Sequence, residues 1–288
     1  MHSNQAHRIL VVKVGTSTLT DAHGRLDRSF LIDFTSQLAA CQNQGWDVIL
    51  VTSGAIRAGK EVLERRNRTG SHQLVDQNPN HDREQGTDEQ TSLPFKQAAA
   101  AIGQGRLMST YTEAFEWRNI DCAQVLLTKD DMLDARRFEN ARNTLMTLLT
   151  LGVVPIINEN DTVAVDEIRF GDNDNLAALV ATLIGANLLL ILSDVEGLYD
   201  AASSREIHSE DAGMPIAVVA RVDESIYALA GGTASQVGTG GMRTKVEAAK
   251  TATEAGIRTV IARGRRPGVV ASVVGFEAVG TTFLPQAV

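Results

Sequence analysis

The stretch NLLLILSDVEGLYD (Asn187–Asp200) opens on the longest aliphatic run of the chain, Leu188–Leu192, then turns polar at Ser193 and Asp194. An unbroken aliphatic run of this length suits a strand covered on both faces, as in a parallel sheet held between helix layers. It is far too short to cross a bilayer. RILVVKV (Arg8–Val14), WDVILV (Trp46–Val51), AQVLLT (Ala123–Thr128), VVPIIN (Val153–Asn158) and IRTVIA (Ile257–Ala262) read as strands in the same way. Helical patterns lie between them, such as RSFLIDFTSQLAACQNQG (Arg28–Gly45) and RRFENARNTLMTLLTLG (Arg136–Gly152), each closing on a glycine. The alternation predicts an α/β fold, a three-layer αβα sandwich around a mainly parallel open sheet. In such sheets the ligand sits beyond the carboxyl ends of the strands, so the residues just after each strand carry the functional information.

The rest of the composition narrows the classes. A chain of 288 residues with 43% apolar and 22% charged residues can bury a core without disulfide or metal staples. A net charge of −8 argues against a nucleic-acid footprint. The tight basic run Arg65, Arg66 and Arg68 reads as a solvated loop. Two widely separated cysteines, Cys41 and Cys122, fit a reducing compartment and exclude a cysteine-based zinc site. No signal-peptide pattern opens the sequence. The expectation is a cytoplasmic protein with no membrane and no nucleic-acid partner. Residues 65–92 hold only Leu74 and Val75 as aliphatics and read as a mobile surface insertion. MPIA (Met214–Ala217) and RRPGVV (Arg265–Val270) read as local turns.

Several strand ends carry candidate chemistry. In VVKVGTSTL, Lys13 is either a lysine snorkelling from a strand end or one delivered to phosphates beside the Gly15 turn. In VILVTSGAI, Ser53 and Gly54 precede a helical pattern, so Ser53 reads as an N-cap and the helix start as an anion site, readings that are compatible. VGTGGMRTKVEAAK (Val237–Lys250) is neither a P-loop nor a dinucleotide fingerprint. It still offers glycine-loop amides, a helix N-terminus and Lys245. Two cations so early in a helix oppose its dipole, which favours a bound polyphosphate over a loop that merely turns. Ser193 and Asp194 suit an ordinary turn or a nucleotide contact.

The segment NENDTVAVDEIRFGDNDN (Asn158–Asn175) gathers six carboxylates and four carboxamides. Its spacing fails as an EF-hand, because Leu176 stands where a ligand belongs and no glycine follows. Helix capping explains one or two of Asp172, Asn173 and Asp174. Two polar clumps at the ligand edge, joined by a hairpin-like TVAVDEIRF, suit a pocket for a molecule with an ammonium group.

Taken in order, VVKVGTS, VTSGAI, LLT..DM....RF.NAR.TL, VPIINENDTVA, FGDNDNLAALVA, LLILSDVEGLY and GTGGMRTK resemble the amino-acid kinase family across roughly Ile9–Leu284. INEND followed by GDNDNL is similar to its glutamate 5-kinase branch. The resemblance implies one kinase domain, with an amino-acid lobe over about residues 1–185 and a nucleotide lobe over about 186–288. It implies phosphorylation of the L-glutamate side-chain carboxylate by ATP with Mg²⁺, giving glutamyl 5-phosphate for proline synthesis. Lys13 and Lys245 would neutralise the transferring phosphoryl group and Asp174 would organise them. Ser53, Gly54, Asn158, Asp161 and Asn173 would hold glutamate. Lys13, Ser193, Asp194 and the loop Thr239, Gly240, Gly241, Met242, Arg243, Thr244 and Lys245 would hold ATP, with magnesium bound through the phosphates rather than by protein ligands.

The resemblance further implies a homo-oligomer (dimer or tetramer), feedback inhibition by proline and coupling to glutamyl-5-phosphate reductase. Many members continue into a C-terminal PUA module, whereas this chain stops at Val288, and a single kinase domain is expected. Ser193 replaces the usual threonine and keeps its hydroxyl, while Arg243 stands where a small polar residue is common. The alternatives are an N-acetylglutamate or aspartate kinase of the same fold, whose signature would replace INEND and GDNDN, or a non-catalytic glutamate or proline sensor. Loss of Lys13 or Lys245 would have favoured the sensor, and both are present.

Overall fold

A computed structural model describes residues 8–68, 92–164, 173–200, 213–231 and 241–286. Among the described residues eight strands form one sheet, in the spatial order Cys122–Leu127, Val154–Glu159, Trp46–Thr52, Arg8–Val14, Leu188–Ser193, Arg258–Arg263, Thr281–Phe283 and Val218–Val219. The six long ones are β1 (Arg8–Val14), β2 (Trp46–Thr52), β3 (Cys122–Leu127), β4 (Val154–Glu159), β5 (Leu188–Ser193) and β7 (Arg258–Arg263), all parallel. These match the six aliphatic runs. The short strands β6 (Val218–Val219) and β8 (Thr281–Phe283) pair with each other in parallel, and β8 meets β7 antiparallel. β5 lies beside β1, so the sheet runs without a break past residue 185.

Helices cover both faces, and strand periodicity decides what each face receives. Along β1, Ile9 and Val11 enter one core while Leu10, Val12 and Val14 enter the other. Successive side chains of a strand point to opposite faces, so Lys13 shares the side of Ile9 and Val11. That side is covered by α6 (Ala135–Thr150), α7 (Asn173–Ile184) and α9 (Met242–Glu254). The other side is covered by α2 (Arg28–Asn43), α4 (Leu93–Glu116) and α10 (Val269–Val274). Every residue of β5 is buried, as its aliphatic run requires. Each fully buried Leu or Ile side chain stabilises the fold by about 1.5–3 kcal/mol relative to exposure.

Local chemistry sets the helix ends. Asp27 caps α2 through the amide of Phe30, and Ser92 caps α4 through the amide of Phe95. Gly45 and Gly152 follow α2 and α6 with φ of +81° and +74°, the left-handed geometry glycine adopts without strain. α3 (Ala55–Arg68) and α4 meet backbone to backbone. A Cβ on Gly59 would collide with the Ala99 carbonyl, and one on Gly103 with that of Ala55.

Two expectations change. Arg65 and Arg66 stand exposed on α3, not in a loop, and the helix runs to Arg68. Arginine and glutamate are good helix formers, and the helix is anchored by its glycine contact with α4. The turn at RRPGVV ends at Gly268, and Val269 and Val270 open α10 as core residues. Residues 69–91, the bulk of the anticipated insertion, lie outside the described residues.

Candidate active site

The carboxyl ends of β1, β2, β4 and β5 converge with the first turns of α7 and α9. Asp174 is fully buried in the first turn of α7. Its Oδ1 meets Lys13 Nζ at 2.5 Å and its Oδ2 meets Lys245 Nζ at 3.0 Å. Thr244 donates its hydroxyl to Asp174 Oδ2 at 3.1 Å. Lys13 reaches this point because β1 places it on the face covered by α7 and α9. Both lysines are themselves buried. Ion pairs this deep are held strongly only when geometry and hydrogen bonds compensate for lost hydration.

One residue earlier, Asn173 belongs to a different neighbourhood. Its Nδ2 lies 2.6 Å from Thr52 O, 3.1 Å from Ser53 Oγ and 2.9 Å from Asn158 Oδ1. Asn158 Oδ1 also accepts the amide of Glu159 at 2.9 Å, and Asn158 Nδ2 donates to Gln104 Oε1 at 2.9 Å. Ser53, Gly54, Asn158, Asp161 and Asn173, the five residues expected to hold the amino acid, line one open cleft. The first turn of α3 lines it too, bringing helix N-terminal amides to the same space. Gly54 has φ +100°, so the turn from β2 into α3 requires glycine there. Gly54, not Ser53, immediately precedes α3, and the Ser53 hydroxyl receives Asn173.

Ser193 ends β5 with its hydroxyl 3.2 Å from Asp194 Oδ1, and Asp194 is exposed. Gly241 precedes α9 in extended geometry, and among the described residues no side chain caps the helix there. Met242 points into the core, which leaves its backbone for any ligand contact. Arg243 is exposed, bonds Glu247 Oε1 at 3.2 Å and stacks over Tyr227. Thr239 and Gly240 lie outside the described residues, as do Asp166, Glu167 and Asp172.

The structure adds Thr52, Gln104 and Tyr111, none of which the sequence singled out. Tyr111 is fully buried on α4, with its hydroxyl 2.8 Å from Thr52 Oγ1. Burial pushes that phenol well above its usual range, against a smaller opposing pull from Thr52. Among the described residues no helix is long and apolar enough to cross a membrane.

A mainly parallel sheet carries a lysine–carboxylate–lysine trio at its ligand edge, beside an amide-lined cleft, an arrangement that suits phosphoryl transfer. The model of the Amino acid kinase family matches residues 8–263, and the chain belongs to that family. A Glutamate 5-kinase of Herpetosiphon aurantiacus is 49% identical over 97% of this chain and 69% of its own length. A Glutamate 5-kinase of Syntrophotalea carbinolica is 47% identical over 98% of this chain and 68% of its own length. Among solved structures, a carbamate kinase from Giardia lamblia bound to AMP-PNP superposes with TM-score 0.65 at 17% identity, covering 98% of this chain and 99% of that one. A UMP kinase from Bacillus anthracis gives TM-score 0.60 at 13% identity, covering 98% of each chain. These two likenesses concern the fold alone.

Proposed function

We propose that this chain phosphorylates the side-chain carboxylate of L-glutamate with ATP, forming L-glutamyl 5-phosphate, the first step of proline biosynthesis. One observation carries the reading: adjacent residues of α7 join a phosphate side to an amino-acid side. Asp174 sits between Lys13 and Lys245, while Asn173 lines the cleft.

A glutamate side chain has a pKa of about 4.3 and is already an ionised nucleophile at neutral pH, so the reaction needs no general base. It needs in-line placement and relief of charge on the transferring oxygens. Lys13 and Lys245 supply the positive charge, and Asp174 fixes where each ammonium points. Thr244 steadies that carboxylate from the start of α9. In the cleft, the two N–H groups of Asn173 Nδ2 are shared among three acceptors, leaving Oδ1 as the acceptor it can offer a substrate ammonium. Asp161 offers a carboxylate to the same group. Ser53, Gly54 and the first-turn amides of α3 suit the α-carboxylate. Ser193, Asp194 and the residues from Thr239 to Lys245 hold ATP. Both oxygens of Asp174 are engaged by lysines, which fits a magnesium ion held by phosphate oxygens and water instead of by a protein cage. When bound, the ion shields phosphate charge.

Residues to about 185 thus carry mainly the amino-acid side and the remainder the nucleotide side. The same reading extends to a cytoplasmic homo-oligomer, dimer or tetramer, inhibited by proline. The product is an acyl phosphate, a labile mixed anhydride, which favours direct use by glutamyl-5-phosphate reductase. The test is ADP release dependent on both glutamate and Mg-ATP, with the acyl phosphate trapped as a hydroxamate. A screen in which aspartate, N-acetylglutamate or a nucleoside monophosphate supports turnover and glutamate does not would overturn the assignment.

A further inference from the structure

We propose that Gln104, in the middle of α4, is a positioning residue that, by accepting from Asn158, holds the carboxamides of the amino-acid cleft in the orientation the main chain sets. The inference rests on the glutamate reading of the cleft and adds a residue to it.

The orientation of each amide follows from backbone groups that have no choice of role. Thr52 O can only accept, so Asn173 must turn Nδ2 toward it at 2.6 Å. The Glu159 amide can only donate, so Asn158 must turn Oδ1 toward it at 2.9 Å, and the same oxygen receives Asn173 Nδ2. Asn158 Nδ2 then points at Gln104, which must answer with Oε1 at 2.9 Å. Oxygen and nitrogen ends of an amide look alike in outline, but here Asn173 and Asn158 are each pinned by a main-chain group, and Gln104 is set through Asn158. The outcome is a directed series in which Gln104 holds Asn158, Asn158 holds Asn173, and Asn173 keeps its oxygen for the cleft.

Two further observations single out the acceptor of Gln104. The side chain is buried, and its Nε2 finds no hydrogen-bond partner among the described residues. Burying a carboxamide with its donors unsatisfied costs folding free energy, so packing alone would favour an apolar side chain here. The oxygen has a task and the nitrogen does not. Placement depends on Gly103, where α4 touches the Ala55 carbonyl so closely that a Cβ would collide. That contact seats α4 beneath the start of α3 and brings Gln104 within reach of β4. Tyr111, two turns further along α4, bonds Thr52, whose carbonyl anchors Asn173. One face of α4 therefore supports the cleft from beneath.

Gln104→Met keeps length and helix propensity and removes the acceptor, leaving Asn158 Nδ2 without its partner. The expected result is a rise of about tenfold in KM for glutamate, with KM for ATP and kcat each within about twofold. Gln104→Glu retains an oxygen facing Asn158, and its KM for glutamate should stay within about threefold of wild type. In an Asn158→Ala background, Gln104→Met should add less than about twofold, because its effect passes through Asn158. Thermal midpoints are recorded for all variants, and should Gln104→Met not fold, the Gln104→Glu result decides. An unchanged KM for glutamate in Gln104→Met, equal rises for both substrates, or no rescue by Gln104→Glu would overturn the proposal. Absence of glutamate turnover in the wild type would instead overturn the glutamate reading, which separates the two failures.

Discussion

Asp174 and Asn173 are neighbours in α7, yet one stands among ammonium groups and the other among neutral amides. Around Asp174 the partners are Lys13 and Lys245, brought from β1 and α9. Around Asn173 they are a carbonyl, a hydroxyl and a second carboxamide. On the proposed reading, the difference follows the work each side has to do. Where negative charge moves during phosphoryl transfer, fixed positive charge in a buried setting is most effective. Where a zwitterion must be held in one orientation, neutral dipoles locked by the main chain give direction without adding buried charge. The two demands meet within one helical turn, so a small tilt of α7 would disturb both.

The comparison can be broken from either side. Lys245→Ala removes a charge from the phosphate side and is expected to lower kcat by about 10²–10³-fold, with KM for glutamate little changed. Steady-state kinetics at saturating ATP checks this, and a KM effect of similar size would erase the distinction. Asn173→Ala acts on the other side and should raise KM for glutamate by about 10–100-fold, read from the same assays. A much larger loss in kcat than in binding would place Asn173 with the lysines.

A change remote from both sides serves as the control and should have the smallest effect. Asp27 caps α2 and pairs with Arg265 at 2.9 Å. Burial works to raise its carboxyl, but the amide of Phe30 and the Arg265 guanidinium outweigh this and hold it below the usual range. A carboxyl lowered in the fold stabilises it above the unfolded value and loses that contribution as pH falls through the lowered one. Asp27→Asn keeps a cap but loses the charge. Its thermal midpoint at pH 7 should fall by about 1–2 °C, with the gap closing below about pH 4 and kinetics unchanged.

Much of this was legible in the sequence, for physical reasons. Six strands announced themselves because buried parallel strands need unbroken aliphatic runs. β6 and β8, at two and three residues, are too short to show a pattern. The charged and polar candidates drew attention at strand ends and helix starts, and the structure places them there: Lys13, Asn158 and Ser193 lie in the last two residues of their strands, and Asn173, Asp174 and Lys245 in the first turns of α7 and α9. Gln104 and Tyr111 could not be found this way, since they lie inside a helix and touch the site only after α4 has packed under α3. The available signal was a glycine pair, Gly59 and Gly103, at which two helices could meet without side chains between them. Arg65 and Arg66 were misplaced because polarity suggested a loop, while helix propensity and the anchored first turns decided otherwise.

In the proposed mechanism Asp174 organises the charges of transfer and does not hold the amino acid. Asp174→Asn, assayed for ADP release and hydroxamate formation over a range of glutamate, tests it most directly. The account predicts a kcat lowered by about 10²-fold or more while KM for glutamate stays within about threefold. A variant that keeps most of its kcat and loses affinity for glutamate would contradict it.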